Sequence, residues 1–315
     1  MRTSGEPVRA RRGLSLSITI TVPEETTTRF VVAADRAPAD VATALRQGLP
    51  GPLGAATLQR LGTPALIVAA HRAEVSPWDL RSVASTDPED AERARRSDWH
   101  VGVTSVLQAA DLPLGPHITR TAAEVLAESL GGVPVDIDLS QAVHPLPEPR
   151  QERFVLADDW TGAVLPPYRN AGRCTADEDE IDGCSCVGIT TRGLRRFGLP
   201  ELEITGVACP HDLAALNVLR TTAQRLLPLG RHRGEHVLHS ELVLTSADFS
   251  AFWGSREQVW DDGPVPVRLV QTGPRRLSIQ APEDFPGSLN EWLWDELPPV
   301  LHHYLSCEPD NADPD

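Results

Sequence analysis

Apolar residues recur along this chain with two different periods, and together these periods limit the folds available to it. Residues 14–22 alternate apolar and polar side chains, which is typical of a strand with one buried face. Residues 119–130 instead place their apolar side chains on one face of a helix, and Gly131 follows at the position of a left-handed cap. Strand-like and helix-like segments continue to alternate beyond them. The sequence therefore predicts an α+β fold.

A proline-rich segment divides the chain. Residues 143–150 contain three prolines and predict a linker between two units. We expect an N-terminal unit over residues 1–145, a C-terminal unit over residues 151–307, and a disordered acidic tail over residues 308–315. Each unit is predicted to be a mixed sheet covered by amphipathic helices. Within the first unit, the continuous apolar run 64–70 predicts a buried central strand.

The two predicted units share a short pattern. VGVTS at 101–105 and VGITT at 187–191 each read as a strand, and each is followed by a loop containing proline or glycine and then by an amphipathic helix. The pattern is consistent with an internal duplication. It is also short enough to be a coincidence, and the sequence leaves both alternatives open.

Charge and hydropathy argue against several classes of function. The net charge of −15 disfavours binding to nucleic acid, because phosphate backbones require clustered cations. The same charge disfavours adsorption to anionic lipid. No stretch reaches the roughly 18 consecutive apolar residues of a membrane span, and the basic start is followed by an alternating run instead of the apolar body of a signal peptide. We expect a cytoplasmic protein.

The chain contains no lysine, so its basic residues are the 29 arginines. Codon usage of a high-GC bacterial genome explains this absence, and selection against lysine is the alternative. In either case Schiff-base chemistry, a P-loop lysine and the lysine of penicillin-binding enzymes are excluded.

Five cysteines form an odd set in a chain without an evident export signal, which favours reduced thiols or metal ligands over disulfides. Thiolates and imidazole suit zinc or another transition metal. The candidate ligands are Cys174, Cys184, Cys186, Cys209 and His211. Their spacing is not that of a common zinc finger, and the alternative is that some of these cysteines are small buried apolar residues.

Two further sets of residues are candidates for binding. Glu201 and Glu203 lie two apart in a predicted strand and would face the same side, either as a pair in one pocket or as surface charges on an edge strand. Tryptophans are enriched at interaction surfaces, although core packing is the alternative. Trp253 and Trp260 would share a face of a helix, whereas Trp292 and Trp294 would share a face only of a strand.

One segment resembles a known family. Residues 191–203 carry the pattern Thr-x-Gly-Leu followed by Phe-Gly-x-Pro-Glu-Leu-Glu, which is similar to a bacterial domain family of unknown function. The resemblance extends over residues 187–237, with a weaker likeness over 100–143. It implies an α+β fold and a cytoplasmic location, and it assigns no reaction and no catalytic residue.

The absence of a catalytic signature favours a non-catalytic protein of the interaction or immunity type. Its partner would be a protein, and a basic one given the charge of the chain. The alternative is a metal-dependent enzyme that uses the cysteine and histidine ligands, in a secondary-metabolite pathway. A third possibility is a structural role for the same metal.

Overall fold

The computed structural model describes residues 17–49, 51–143, 155–157, 160–164, 184–254 and 263–304. These residues form seven α-helices and thirteen β-strands, and the predicted α+β class is confirmed. The strands are β1 (Ser17–Val22), β2 (Glu25–Ala34), β3 (Ile67–Arg72), β4 (Trp99–Gln108), β5 (Val133–Asp136), β6 (Gln141–Ala142), β7 (Gly162–Val164), β8 (Val187–Arg192), β9 (Glu201–Val207), β10 (Gly234–His239), β11 (Glu241–Leu244), β12 (Val265–Gly273) and β13 (Arg276–Gln280). The helices are α1 (Val41–Gly48), α2 (Gly51–Arg60), α3 (Pro88–Arg96), α4 (Leu114–Leu130), α5 (Asp212–Leu226), α6 (Ser246–Phe252) and α7 (Leu289–Asp295).

The strands form two large sheets and one ribbon. The first sheet has the order β3-β4-β2-β5-β6 and is antiparallel throughout. The second has the order β11-β12-β13-β9-β8-β7, in which only the pairing of β13 with β9 is parallel. The ribbon pairs β1 with β10. The first strand of the chain is thereby hydrogen-bonded to a strand that follows α5.

One large apolar core spans both sheets, and a second, smaller cluster packs α3 against the first sheet. The large core contains Phe30 of the first sheet and Ile118 of α4, together with Phe197 and Leu219 from the second half of the chain. A buried ion pair crosses the same boundary, because the Arg196 guanidinium donates two hydrogen bonds of 2.7 Å to the Asp136 carboxylate. The first sheet and the second sheet are therefore packed as one body.

The long helices agree well with the periodicity of the sequence. In α4 the buried face follows the predicted apolar positions, and Gly131 adopts the left-handed conformation (φ 65°) that ends the helix. The helix begins at Leu114, five residues before the predicted start, because Pro116 is tolerated within the first turn. Helix α5 begins at Asp212, and His211 occupies its cap position.

Two predictions about the strands are wrong. The run 64–70 is not a buried central strand: β3 begins at Ile67, lies at the edge of the first sheet and is largely exposed. The strand that precedes α5 is β9 and not β8, so VGITT is not the counterpart of VGVTS in the order of elements.

The predicted linker and tail lie largely outside the described residues, since 144–154 and 305–315 are not among them. The first sheet draws on residues 25–142 and the second on residues 162–280. Within the described part of the chain, no helix combines the length and apolarity that a bilayer crossing requires.

Candidate metal centre

An antiparallel hairpin gathers three of the cysteines. Strands β8 and β9 pair with Val187 opposite Val207, so the residues before β8 and after β9 emerge at the same end. Cys184 and Cys186 precede β8, and Cys209 opens a short 3-10 turn that leads into α5. Residues separated by more than twenty positions are thereby placed side by side.

The three thiols are in mutual contact. The Sγ atoms lie 3.1 Å apart between Cys184 and Cys186, 2.9 Å apart between Cys186 and Cys209, and 3.9 Å apart between Cys184 and Cys209. These separations exceed the roughly 2.05 Å of a disulfide bond, and all three cysteines are free thiols. The ligand atoms of the three lie within 4.8 Å of one another, close enough to hold a metal ion.

The cluster lies at the protein surface. Cys184 is buried, Cys186 is exposed and Cys209 lies between these extremes. Burial, followed by the neighbouring thiols of Cys186 and Cys184, raises the pKa of the Cys209 thiol. Three adjacent thiolates would repel one another, and a bound cation would offset that repulsion and favour the deprotonated form.

The side-chain amide of Asn290 holds the two cysteine-bearing segments together. Its Nδ2 donates to the backbone carbonyl of Cys184 at 3.1 Å, and its Oδ1 accepts from the backbone N–H of Ala208 at 2.8 Å. Asn290 lies in the first turn of α7 and is only 8% exposed. Sequence reasoning missed this residue, because a single asparagine behind a helix cap carries no signal of its distant partners.

His211 does not join the thiols. The group of mutually close ligand atoms contains the three cysteines alone, although His211 follows Cys209 by only two residues. Its ring packs edge-on against Trp294, with ring centroids 4.4 Å apart, and burial lowers its pKa. Cys174, the remaining predicted ligand, lies outside the described residues.

The two glutamates are held by separate sets of partners. Glu201 is buried and accepts hydrogen bonds from the Thr191 hydroxyl at 2.8 Å and the Gly193 N–H at 3.2 Å. Burial raises its pKa, and the Thr191 hydroxyl together with the backbone N–H groups of Leu194 and Arg195 opposes the rise. Glu203 instead accepts from the Thr272 hydroxyl at 2.8 Å. The alternative of surface charges on an edge strand is wrong, because β9 lies between β13 and β8 inside the second sheet.

The tryptophans do not form the predicted pairs. Helix α6 ends at Phe252, before Trp253, which is half exposed, and Trp260 lies outside the described residues. Trp292 is not available to a partner, because it is 2% exposed in the shared core. Both Trp292 and Trp294 lie on helix α7, so side chains two residues apart point in different directions. Trp294 covers His211 instead.

Comparison of the chain with protein-family models, with curated proteins and with solved structures finds no match. The resemblance of residues 191–203 to a bacterial family therefore stays a prediction. So does the expected cytoplasmic location.

Proposed function

We propose that this chain is a zinc protein, in which Cys184, Cys186 and Cys209 bind one Zn²⁺ that fastens the start of β8 to the turn before α5. The observation that carries the proposal is the convergence of three free thiols from two separate segments within 4.8 Å. Thiolate ligands are typical of zinc, and intracellular clusters of cysteines favour metal over disulfide.

The spacing of the sulfur atoms is compatible with zinc. A tetrahedral ion with Zn–S bonds of about 2.3 Å separates its sulfur ligands by about 3.8 Å. The pair Cys184–Cys209, at 3.9 Å, agrees with this value, and the two pairs that involve Cys186 would open on binding. Because Cys186 is exposed and precedes the strand, such an adjustment requires no repacking of the core.

The surrounding contacts support a structural role for the ion. Asn290 already bonds to both segments, and it would orient the ligands from behind as other outer partners of metal sites do. Zinc would thereby connect the second sheet, α5 and α7 at one point. The prediction that Cys174 supplies a fourth thiolate is tested by the variant Cys174→Ser.

The first experiment measures zinc stoichiometry and affinity by competition with a chromophoric chelator. We expect one zinc per chain in the native protein. Cys186→Ser, which removes an exposed ligand at little risk to folding, should lower the affinity by at least tenfold. Cys307→Ser is the matched control and should leave the affinity unchanged. Equal affinities in the two variants would contradict the proposal.

Asn290→Ala tests the role of the amide. It leaves every thiol in place and removes both hydrogen bonds to the cysteine segments. We expect zinc affinity to fall about tenfold to a hundredfold, the usual effect of losing an outer partner of a metal ligand. Asp295→Ala, on the exposed side of the same helix, is the control and should bind zinc like the native chain.

A metal-dependent enzyme is the second candidate function. The observation that favours it is that three protein ligands, one of them exposed, leave one position of a tetrahedral zinc for water or substrate. Titration of the cobalt-substituted protein with thiocyanate separates the two candidates. A change in the cobalt absorption spectrum would support an open position, and an unchanged spectrum would support the structural role.

Binding of a basic partner protein stays a prediction from the net charge of the chain. Among the described members of the predicted tryptophan set, Trp253 has the largest accessible fraction, at 50%. Trp253→Ala would therefore be the variant to compare with the native chain in a search for such a partner.

A further inference from the structure

A polar cleft of about 640 Å³ opens between the two large sheets. One wall is formed by β2 and the segment after β5, and the other by the turn after β8 and the turn between β12 and β13. The volume lies within the range of roughly 300–1,000 Å³ that is typical of small-molecule sites. The zinc site that we propose uses none of the residues of this cleft.

The cleft is positively charged in a chain whose net charge is −15. Three carboxylates line it, those of Glu25, Asp138 and Glu201. Twice as many guanidinium groups line it, those of Arg29, Arg192, Arg195, Arg196, Arg275 and Arg276. An excess of cations within a confined space attracts anions and holds them with less screening than an open surface does.

The arginines differ in how far they are neutralised. Arg196 is fully buried and pairs with Asp136 at 2.7 Å, and Arg29 pairs with Asp138 at 3.3 Å. By contrast, Arg192 and Arg275 are exposed, and neither has a carboxylate within 4 Å among the described residues. These two guanidinium groups are therefore free to bind a ligand.

A buried hydroxyl completes the site. Thr26 lines the cleft and is 4% exposed, and its Oγ1 has no hydrogen-bond partner among the described residues. An unsatisfied buried hydroxyl is costly, and natural proteins keep few of them. A hydroxyl beside guanidinium groups is a suitable donor to a phosphate or carboxylate oxygen.

We propose that this cleft binds a small anionic metabolite through its phosphate or carboxylate oxygens, with Arg192 and Arg275 as the charged contacts and Thr26 as the hydroxyl donor. Guanidinium groups bind oxyanions of both kinds through paired N–H donors. The excess of positive charge in the cleft selects ligands with two or more negative charges.

The test is calorimetric titration of the full-length chain with inorganic pyrophosphate and, separately, with citrate, at low and at moderate salt. We expect one binding site per chain for at least one of these probes, and an affinity that falls as salt rises. Binding of pyrophosphate alone identifies a phosphate site, and binding of citrate alone identifies a carboxylate site. Failure of both probes to bind at low salt overturns the proposal.

Matched variants locate the site. Arg192→Gln combined with Arg275→Gln should weaken binding by about a hundredfold, or tenfold for each charged hydrogen bond lost. Thr26→Val should weaken it several-fold without changing the charge. Arg81→Gln combined with Arg233→Gln removes the same charge from exposed ion pairs that do not line the cleft. If this control weakens binding as much as the cleft variant does, the anion is not bound at the cleft and the proposal is overturned.

Discussion

At the scale of single residues, the most consequential contact is the ion pair of Arg196 and Asp136. Both side chains are inaccessible to solvent, and the guanidinium also packs over the Phe30 ring at 5.8 Å. Asp136 additionally accepts from the backbone N–H groups of Asp138 and Leu139. A buried pair of this kind contributes little net energy when intact, but the loss of one partner leaves the other charged, buried and unpaired.

Arg196→Met should therefore lower the free energy of unfolding by about 3–5 kcal/mol, measured by urea denaturation. Arg233→Met is the control, because Arg233 pairs with Glu24 at 2.7 Å while both side chains are mostly exposed. We expect that control to cost less than about 1 kcal/mol. Similar losses in the two variants would mean that the buried pair does not connect the sheets as described.

The residues of the candidate site differ in how far the sequence could predict them. The odd number of cysteines indicated Cys184, Cys186 and Cys209 as candidate ligands. Asn290 could not be predicted, because its role depends on two backbone groups that lie more than 80 positions away. The polar cleft could not be predicted from the sequence either, since its walls come from separate segments of two different sheets.

At the scale of elements, local signals predicted helices better than strands. The periodicity and glycine cap of α4 are properties of its own residues, and the sequence predicted most of that helix. The position of β3 depends instead on which strand pairs with which, so a continuous apolar run could not distinguish an edge strand from a central one.

Helix α7, which carries Asn290, begins with a capping box. The Ser288 hydroxyl accepts from the Glu291 N–H at 3.2 Å, and the Glu291 carboxylate accepts from the Ser288 N–H at 2.6 Å. The Ser288 backbone and then its hydroxyl lower the pKa of Glu291 below its ordinary value of 4.5. A lowered pKa in the folded state adds stability above that ordinary value, and this stability is lost as the pH falls through the folded pKa.

Glu291→Gln should thus lower the melting temperature at pH 7, and the difference from the native chain should shrink as the pH falls below 4.5. The glutamine retains an acceptor for the capping box, so the variant isolates the contribution of the charge. Glu296→Gln is the control, since this exposed side chain has no hydrogen-bond partner among the described residues. A difference for Glu291→Gln that does not shrink as the solution is acidified would contradict this role of the carboxylate.

At the scale of the whole molecule, the two sheets depend on each other. The ribbon of β1 with β10, the shared apolar core and the pair Arg196–Asp136 all join residues from opposite sides of the predicted boundary. The predicted boundary falls between β6, the last strand of the first sheet, and β7, the first strand of the second. The units on either side of it stay a prediction from the sequence. The sequence could not predict that the two sheets share one core, because contacts between distant elements leave no local pattern.

Fragments 1–145 and 151–307 should therefore fail to fold when each is expressed alone. The second fragment lacks β1, the strand that pairs with β10, and leaves Arg196 without its carboxylate. We expect neither fragment to show a cooperative thermal transition by circular dichroism, and mixing the two should restore one. A sharp transition in either isolated fragment, near that of the full chain, would show that the units are independent domains.

If three thiolates bind one metal ion, the absorption spectrum of the cobalt-substituted protein will report their sulfur ligands directly. We predict intense sulfur-to-cobalt charge-transfer bands and the visible bands of a tetrahedral ion at one equivalent of Co²⁺. The charge-transfer intensity should fall by about one thiolate in Cys186→Ser and stay constant in Cys307→Ser. Weak octahedral bands without charge transfer would contradict the proposed zinc site.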